Sequence, residues 1–245
     1  MLRPAGTPTP IESSTPQDMV ETLNEALVKT LPAPRQAGPG LRASWAMKRV
    51  LDATIALTAL FLLLPLLLFI ALLIWGSDGR SPIFRHKRLG RHGRPFGCLK
   101  FRSMVADGDA VLARHFAENP DARAEWEASF KLTHDPRVTA LGHVLRKTSL
   151  DELPQLWNVL RGEMSLVGPR PIVQAEVVRY GADFTACFSV PPGLTGLWQV
   201  SGRSDTGYAE RVALDCAYAS QWSLRRDLAI LLKTVPAVLS QRGSR

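Results

Sequence analysis

The chain has 245 residues, a net charge of +8 and a pI of about 9.9, with 46% hydrophobic and 21% charged residues. Its three cysteines, Cys98, Cys187 and Cys216, are far apart; they fit a reducing compartment and offer neither a disulfide framework nor a CxxC metal site. The positive balance points to nucleic acid, anionic lipid or a phosphorylated substrate, and nucleic acid is not expected because no recognition element for duplex DNA accompanies the charge.

Residues 1–45 are rich in Pro, Thr, Ser and Gly and are expected to form a disordered cytoplasmic tail. A short helix within it is signalled from Thr15 to Asp18, with Met19, Val20, Leu23, Leu27 and Leu31 on one face before Pro32 ends it. An apolar run follows: 25 uncharged residues lie between Asp52 and Asp78, long enough to cross a bilayer as a helix. Arg42, Lys48 and Arg49 precede it, and Arg80, Arg85, Lys87, Arg88, Arg91 and Arg94 follow it. The positive-inside bias draws both flanks to the cytoplasmic side, which favours a segment that enters and returns over one that crosses. Pro65 supplies the break, since it cannot donate a backbone N–H and clashes with the carbonyl one turn back. A spanning helix with a tolerated proline is the alternative. The run lies too far from residue 1 to read as a signal peptide, and is taken as a permanent anchor.

About 165 residues remain after the run, enough for one domain with its own core. Residues 82–85 and 96–102 read as two strands around the turn Gly90-Arg91-His92-Gly93. In the second strand Lys100 and Arg102 share a face suited to phosphate, with Leu99 and Phe101 on the other. From about Asp107 to Phe130 the pattern is helical, interrupted at Asn119-Pro120, and carries no evident chemistry.

Potential chemistry is densest from Asp135-Pro136-Arg137 to Asn158. Pro154 belongs in a first turn, so a helix is expected to start near Ser149 to Asp151, placing Asp151 and Glu152 at the positive end of its dipole. Ser149 and Glu152 also have capping-box spacing, an ordinary structural use of the same residues. The neighbouring Arg146 and Lys147 favour a site instead, because a carboxylate pair beside guanidinium groups can hold both a divalent cation and phosphate oxygens. In Gly168-Pro169-Arg170-Pro171 the flanking prolines stiffen the backbone that presents Arg170. Residues 192–204 combine Gly193, Gly196 and Gly202 with Trp198, so the backbone can approach a ligand closely and an indole is available to stack on a base or sugar or to fill the core. Residues 224–239 place Leu224, Leu228, Leu231, Leu232 and Val235 among Arg225, Arg226 and Lys233, as either a membrane-surface helix or a helix packed on the domain. The five histidines lack the spacing of zinc ligands.

From about Lys48 onward, these motifs in this order resemble the bacterial sugar transferase family, the monotopic polyprenyl-phosphate phosphoglycosyl transferases. The motifs are the proline-bent apolar segment, Lys100-Phe101-Arg102, Asp135-Pro136-Arg137, residues 148–155, residues 165–171 and residues 193–204. This chain has Leu64-Pro65 where the family often breaks its membrane helix at Ser-Pro. The resemblance implies an α+β, mainly helical fold. A re-entrant membrane helix hairpin at 46–78 would carry a compact catalytic domain at 79–245, at the cytoplasmic face of the bacterial inner membrane. It further implies transfer of a sugar 1-phosphate from a UDP-sugar to undecaprenyl phosphate with release of UMP.

In that reading Asp151 is the nucleophile and forms a phosphosugar-aspartyl intermediate, Glu152 with Asp151 holds Mg²⁺, and Lys100, Arg102, Arg146 and Arg170 bind phosphates. Gly196, Trp198, Gln199, Gly202 and Arg203 form the nucleotide-sugar region. The Trp198-bearing form of the glycine motif resembles members that begin exopolysaccharide or O-antigen repeats with glucose or galactose. A homodimer and other polysaccharide assembly proteins are further partners under this reading. The competing classes are a lipid glycosyl transferase that releases UDP and a non-catalytic membrane scaffold.

Overall fold

The computed structural model describes residues 39–129, 132–201 and 207–239. The possible tail helix at 15–31 lies outside them, as do Gly202 and Arg203.

The first element, α1 (Pro39–Asp78), is a single helix of 40 residues that runs through Pro65. The expected division into two helices at that proline is not seen. Along α1 the buried positions are Lys48, Asp52 and Ala56, then Ile70 and Ile74, steps of four that keep one face on the domain. Between them Phe61 is 76% exposed and Leu62 69% exposed, with Leu64 and Leu66 also open. Moving each such side chain from water into an apolar phase is worth about 1.5–3 kcal/mol, so a run of them favours lipid over solvent.

The hairpin expected next is present and longer than its sequence signal: β1 (Ile83–Leu89) pairs antiparallel with β2 (Pro95–Phe101). Two surface helices follow, α2 (Gly108–Glu118) and α3 (Pro120–Ser129), divided at Asn119 as Pro120 requires. The chain then forms α4 (Ala140–Lys147), a 3₁₀ turn at Leu150–Glu152, and α5 (Gln155–Arg161). Thr139 caps α4 by accepting the Gly142 N–H at 2.9 Å.

Strand β3 (Ser165–Val167) leads through the 168–171 loop to the short helices α6 (Val177–Tyr180) and α7 (Phe184–Cys187). Strand β4 (Gly193–Thr195) then returns parallel to β3, with Ser165 opposite Gly193 and Val167 opposite Thr195. The rest is helical: α8 (Leu197–Ser201), α9 (Tyr208–Ser220) and α10 (Leu224–Leu239). The glycine-rich stretch is therefore strand only as far as Thr195. Its glycines seat β4 against the 168–171 loop, for a Cβ on Gly193 would lie 2.1 Å from the Gly168 nitrogen and one on Gly196 2.2 Å from the Gly168 carbonyl oxygen.

Three apolar clusters hold these elements. The largest joins Ala56 to Leu156, Val159, Leu166, Val167, Tyr218 and Ile230. A second gathers Leu89, Ile172, Val177, Phe184, Phe188 and Val212, and a third sets Ile70 and Ile74 against Phe101 and Leu145. The mainly helical fold with small sheets thus agrees with the sequence, whereas the cysteine reading does not. Cys187 and Cys216, 29 positions apart, form a disulfide between α7 and α9, with their Cα atoms 4.4 Å apart. Distance along the chain hid a contact that helix packing makes. Cys98 is free and buried.

The N-terminal positive flank is tied into the domain. Lys48 is buried, donates to Asp227 Oδ2 at 2.6 Å and to the Val167 carbonyl at 3.2 Å, and lies 3.6 Å from Asp52. Arg49 donates to the Val159 and Leu160 carbonyls near the end of α5, where a cation suits the helix dipole. These two cations root α1 in the domain.

Candidate active site

Asp151 and Glu152 lie in the 3₁₀ turn between α4 and α5, immediately after Ser149, which adopts φ 58°. A left-handed serine has a conformational cost, and here it turns the chain sharply so that both acidic residues precede α5. Ser149 makes no side-chain capping bond, so the capping-box use of Ser149 and Glu152 is not realised. Instead the Glu152 carboxylate accepts a hydrogen bond from Lys100 Nζ at 2.7 Å, and the same nitrogen lies 3.6 Å from Asp151 Oδ2. Among the described residues Lys100 is the only side chain within ion-pairing distance of either carboxylate.

Burial has the largest influence on Asp151 and raises its pKa; Lys100 and Arg146 act in the opposite sense, Glu152 adds to the rise, and the net position is above the usual carboxylate range. For Glu152 burial again pushes upward, but Lys100, Arg170 and Arg88 outweigh it and hold the group below its usual value. The adjacent carboxylates are therefore driven apart in acidity, the condition under which two like groups take different roles.

A small pocket opens beside them, lined by Arg88, Cys98, Lys100, Glu152, Gln155 and Arg170, with Pro171, Gly193, Leu194 and Gln199 completing the wall. Arg170 enters from the loop between two prolines, and its guanidinium lies 5.7 Å from the centre of the Trp198 ring. The loop is fixed at its base, where Pro169 O accepts the Gly193 N–H at 2.8 Å. Arg146, in the last turn of α4, donates from Nε to Ser103 Oγ at 2.9 Å. Gly142 allows that approach, since a Cβ there would lie 2.0 Å from the Ser103 carbonyl oxygen.

Of the residues singled out from sequence, Lys100, Glu152, Arg170 and Gln199 meet at the pocket, with Asp151 beside Lys100. Gly196 serves the close approach described above. Trp198 stands next to Arg170 and Arg211, whose guanidinium lies 5.0 Å from its ring centre, so cations occupy part of the indole surface expected for a base. Arg102 is not brought to the site: just beyond the end of β2, its guanidinium pairs with Asp78 at the end of α1 through both terminal nitrogens. Pro65 lies in the exposed part of α1.

Arg88, Gln155 and Cys98 line the pocket although the sequence reading gave them no role. For Arg88 the signal was strand alternation. The first strand was expected to end at Arg85; extended to Leu89, it puts Arg88 on the same face as Lys100. Among the described residues no cluster of three His, Cys, Asp or Glu side chains forms a protein-only metal cage. The Asp151 and Glu152 carboxylates do fit Mg²⁺, which is commonly held by one or two carboxylates with substrate phosphates and water supplying the rest.

A carboxylate pair, a lysine bridging it and an arginine on a stiff loop are thus gathered in a domain that carries one long apolar helix of the kind found in membrane-associated proteins. The bacterial sugar transferase family model matches residues 43–241, and the chain belongs to that family. It is 54% identical over 198 residues to the UDP-galactose-lipid carrier transferase of Erwinia amylovora, covering 81% of this chain and 41% of that protein. It is 54% identical over 197 residues to the exopolysaccharide production protein ExoY of Rhizobium meliloti (strain 1021), covering 80% of this chain and 87% of the relative. It is also 50% identical over 206 residues to the undecaprenyl-phosphate galactose phosphotransferase of Salmonella typhimurium, covering 83% and 42% respectively. The chain thus spans about two fifths of the Erwinia and Salmonella relatives and most of the Rhizobium one.

Proposed function

We propose that this protein transfers a hexose 1-phosphate from a UDP-sugar to undecaprenyl phosphate and releases UMP, the first membrane step of exopolysaccharide or O-antigen synthesis. The observation that carries the proposal is the cluster of Lys100, buried Asp151 and Glu152, whose Lys100 and Glu152 line a pocket that Arg170 also lines. The names of the Erwinia and Salmonella relatives favour galactose over glucose as the hexose.

Asp151 attacks the phosphorus that carries the sugar. A bond forms from its carboxylate oxygen, the bond to the bridging diphosphate oxygen breaks, and UMP leaves with that oxygen. An oxygen of the lipid phosphate then attacks the same phosphorus, the aspartyl bond breaks, and the lipid-linked diphosphosugar is released. Lys100 helps keep Asp151 ionised against its burial, while Arg170 and Arg146 stabilise charge on phosphate oxygens in the transition state. Mg²⁺ held by Glu152 and Asp151 would neutralise part of the charge of the diphosphate and of the departing UMP.

The anchor reading follows from where α1 is tied. Its first half is rooted through Lys48, Arg49 and Ala56, and its second half through Ile70, Ile74 and the Asp78–Arg102 ion pair, all to the same domain. Both ends of α1 therefore pack on one domain, and the exposed stretch around Pro65 is the part offered to lipid; a re-entrant course requires a bend at Pro65, through which α1 runs here as one helix. With both ends held by one domain, the anchor is read as entering the inner membrane without crossing it, with the site on the cytoplasmic face where nucleotide sugars are found.

The test is to supply protein in lipid nanodiscs with Mg²⁺, undecaprenyl phosphate and either UDP-galactose or UDP-glucose, and to quantify UMP and UDP separately. UMP is the expected product. UDP would show glycosyl transfer, and neither nucleotide across a wide panel of donors would support a scaffold.

A further inference from the structure

In the β1–β2 register Phe84 stands opposite Lys100, His86 opposite Cys98, and Arg88 opposite Phe96. Directly paired residues share a face of a sheet, so Arg88 and Lys100 project from the same side of the hairpin, and both line the pocket with Glu152 and Arg170. The Arg88 guanidinium is only loosely held. Its Nη1 reaches Pro171 O at 3.3 Å and Glu176 Oε2 at 3.5 Å, and its Nη2 lies 3.3 Å from His86 Nδ1. Well-made charge-assisted bonds are about 2.7–2.9 Å.

Glu176 cannot neutralise Arg88 alone, because it is shared. It lies 3.5 Å from Arg211 Nη1, accepts from the Tyr208 hydroxyl at 3.2 Å, and accepts the Val173 N–H at 3.0 Å. Arg211 is itself buried, and its Nε and Nη2 have no hydrogen-bond partner among the described residues. Burial, together with the charge of Arg170, disfavours the Arg88 cation. The pocket wall therefore concentrates the cations Lys100, Arg88 and Arg170 around the single lining carboxylate of Glu152, an arrangement that an arriving anion would relieve.

We propose that Arg88 is a further residue that binds a substrate phosphate group together with Arg170, and that Glu176 is a positioning residue holding the Arg88 guanidinium over the pocket. The assignment rests on the phosphoryl-transfer reading above. The phosphate has two sources in that reaction, the diphosphate of the nucleotide sugar and the phosphate of the lipid acceptor, and steady-state kinetics with each substrate varied in turn separates them.

The experiment compares the full chain with Arg88→Ala, Arg88→Lys, Glu176→Gln and the Arg88→Ala/Glu176→Gln double variant in nanodiscs. Arg88→Ala is expected to raise the KM of one substrate by about tenfold or more, naming the source, and Arg88→Lys to recover part of that loss because it restores charge without the fork. Glu176→Gln is expected to shift the same KM by a smaller factor, and to have no further effect once Arg88 is alanine. If the Arg88→Ala protein does not fold, the decision passes to Arg88→Lys, checked by thermal unfolding. Wild-type turnover, with both KM values unchanged within about twofold in every folded Arg88 variant, overturns the Arg88 assignment alone. A Glu176→Gln effect that persists undiminished in the Arg88→Ala background overturns the positioning role. A wild-type protein that releases no UMP from any donor overturns the functional reading and this assignment together.

Discussion

Two lysines in this protein each sit between two carboxylates, and the contrast between them separates structure from chemistry. At the root of α1, Lys48 lies between Asp52 and Asp227, and every part of the arrangement is satisfied. Asp52 also accepts from Ser165 Oγ at 2.7 Å, and Asp227 from the Tyr218 hydroxyl at 2.7 Å and Trp222 Nε1 at 3.1 Å. In the pocket, Lys100 lies between Asp151 and Glu152, but no other side chain among the described residues forms an ion pair with either carboxylate. The Lys48 side chain is 4% exposed and the Lys100 side chain 23%; Glu152 is likewise 25% exposed, whereas Asp151 at 9% is as buried as Asp52 and Asp227, so the second cluster is open to a ligand at Lys100 and Glu152 and closed around Asp151. A saturated buried ion pair fixes geometry; an unsaturated one at a pocket edge leaves room for an incoming phosphate.

The largest effect expected is on Asp151. Asp151→Asn keeps the shape and loses the nucleophile, so UMP release should fall by roughly 10⁴-fold or more while the protein remains in the membrane fraction. Next is Lys48→Ala, which strands Asp52 and Asp227 in a buried site and should cost about 3–5 kcal/mol in thermal or denaturant unfolding. Lys100→Ala should reverse that pattern, lowering turnover by about 10²-fold or more with a stability change within about 1 kcal/mol. Equal stability losses in the Lys48 and Lys100 variants would erase the distinction.

A smaller effect concerns pH. Burial raises the Asp151 pKa and Lys100 opposes the rise, so the acid limb of the rate profile should lie above the ordinary carboxylate range and move to still higher pH in Lys100→Met. The same shift has a stability consequence. A carboxyl raised on folding favours the folded state below its unfolded pKa, and that benefit is lost as pH rises through the folded pKa. At neutral pH the ionised Asp151 therefore disfavours folding, and Asp151→Asn should melt slightly higher than wild type. No difference in melting temperature would mean that burial of Asp151 is not the dominant influence.

Much of this was legible in the sequence because it depends on local signals. The apolar run, the hairpin and the break at Asn119-Pro120 follow from composition, alternation and proline chemistry, and the Asp151-Glu152 pair was marked by its cationic neighbours. What was not legible depends on contacts across the chain. Lys48 and Arg49 read only as part of a positive flank, and each has a partner 110 or more positions away. Arg102 has the strand parity of Lys100, but β2 ends before it and Asp78 captures it. Cys187 and Cys216 are joined only because α7 packs on α9. Ser149 and Glu152 had the spacing of a capping box, and the left-handed Ser149 turns that spacing to another use.

Trapping decides whether the lysine–carboxylate cluster is the site of phosphoryl transfer. Nanodisc-embedded protein would be incubated with Mg²⁺ and UDP-galactose labelled in the sugar, without acceptor lipid, then quenched, digested and mapped by mass spectrometry. Label is expected on the peptide containing Asp151, with transfer to lipid when undecaprenyl phosphate is added and no label in Asp151→Asn. Equal lipid labelling by wild type and Asp151→Asn, with no label on that peptide, would contradict that expectation.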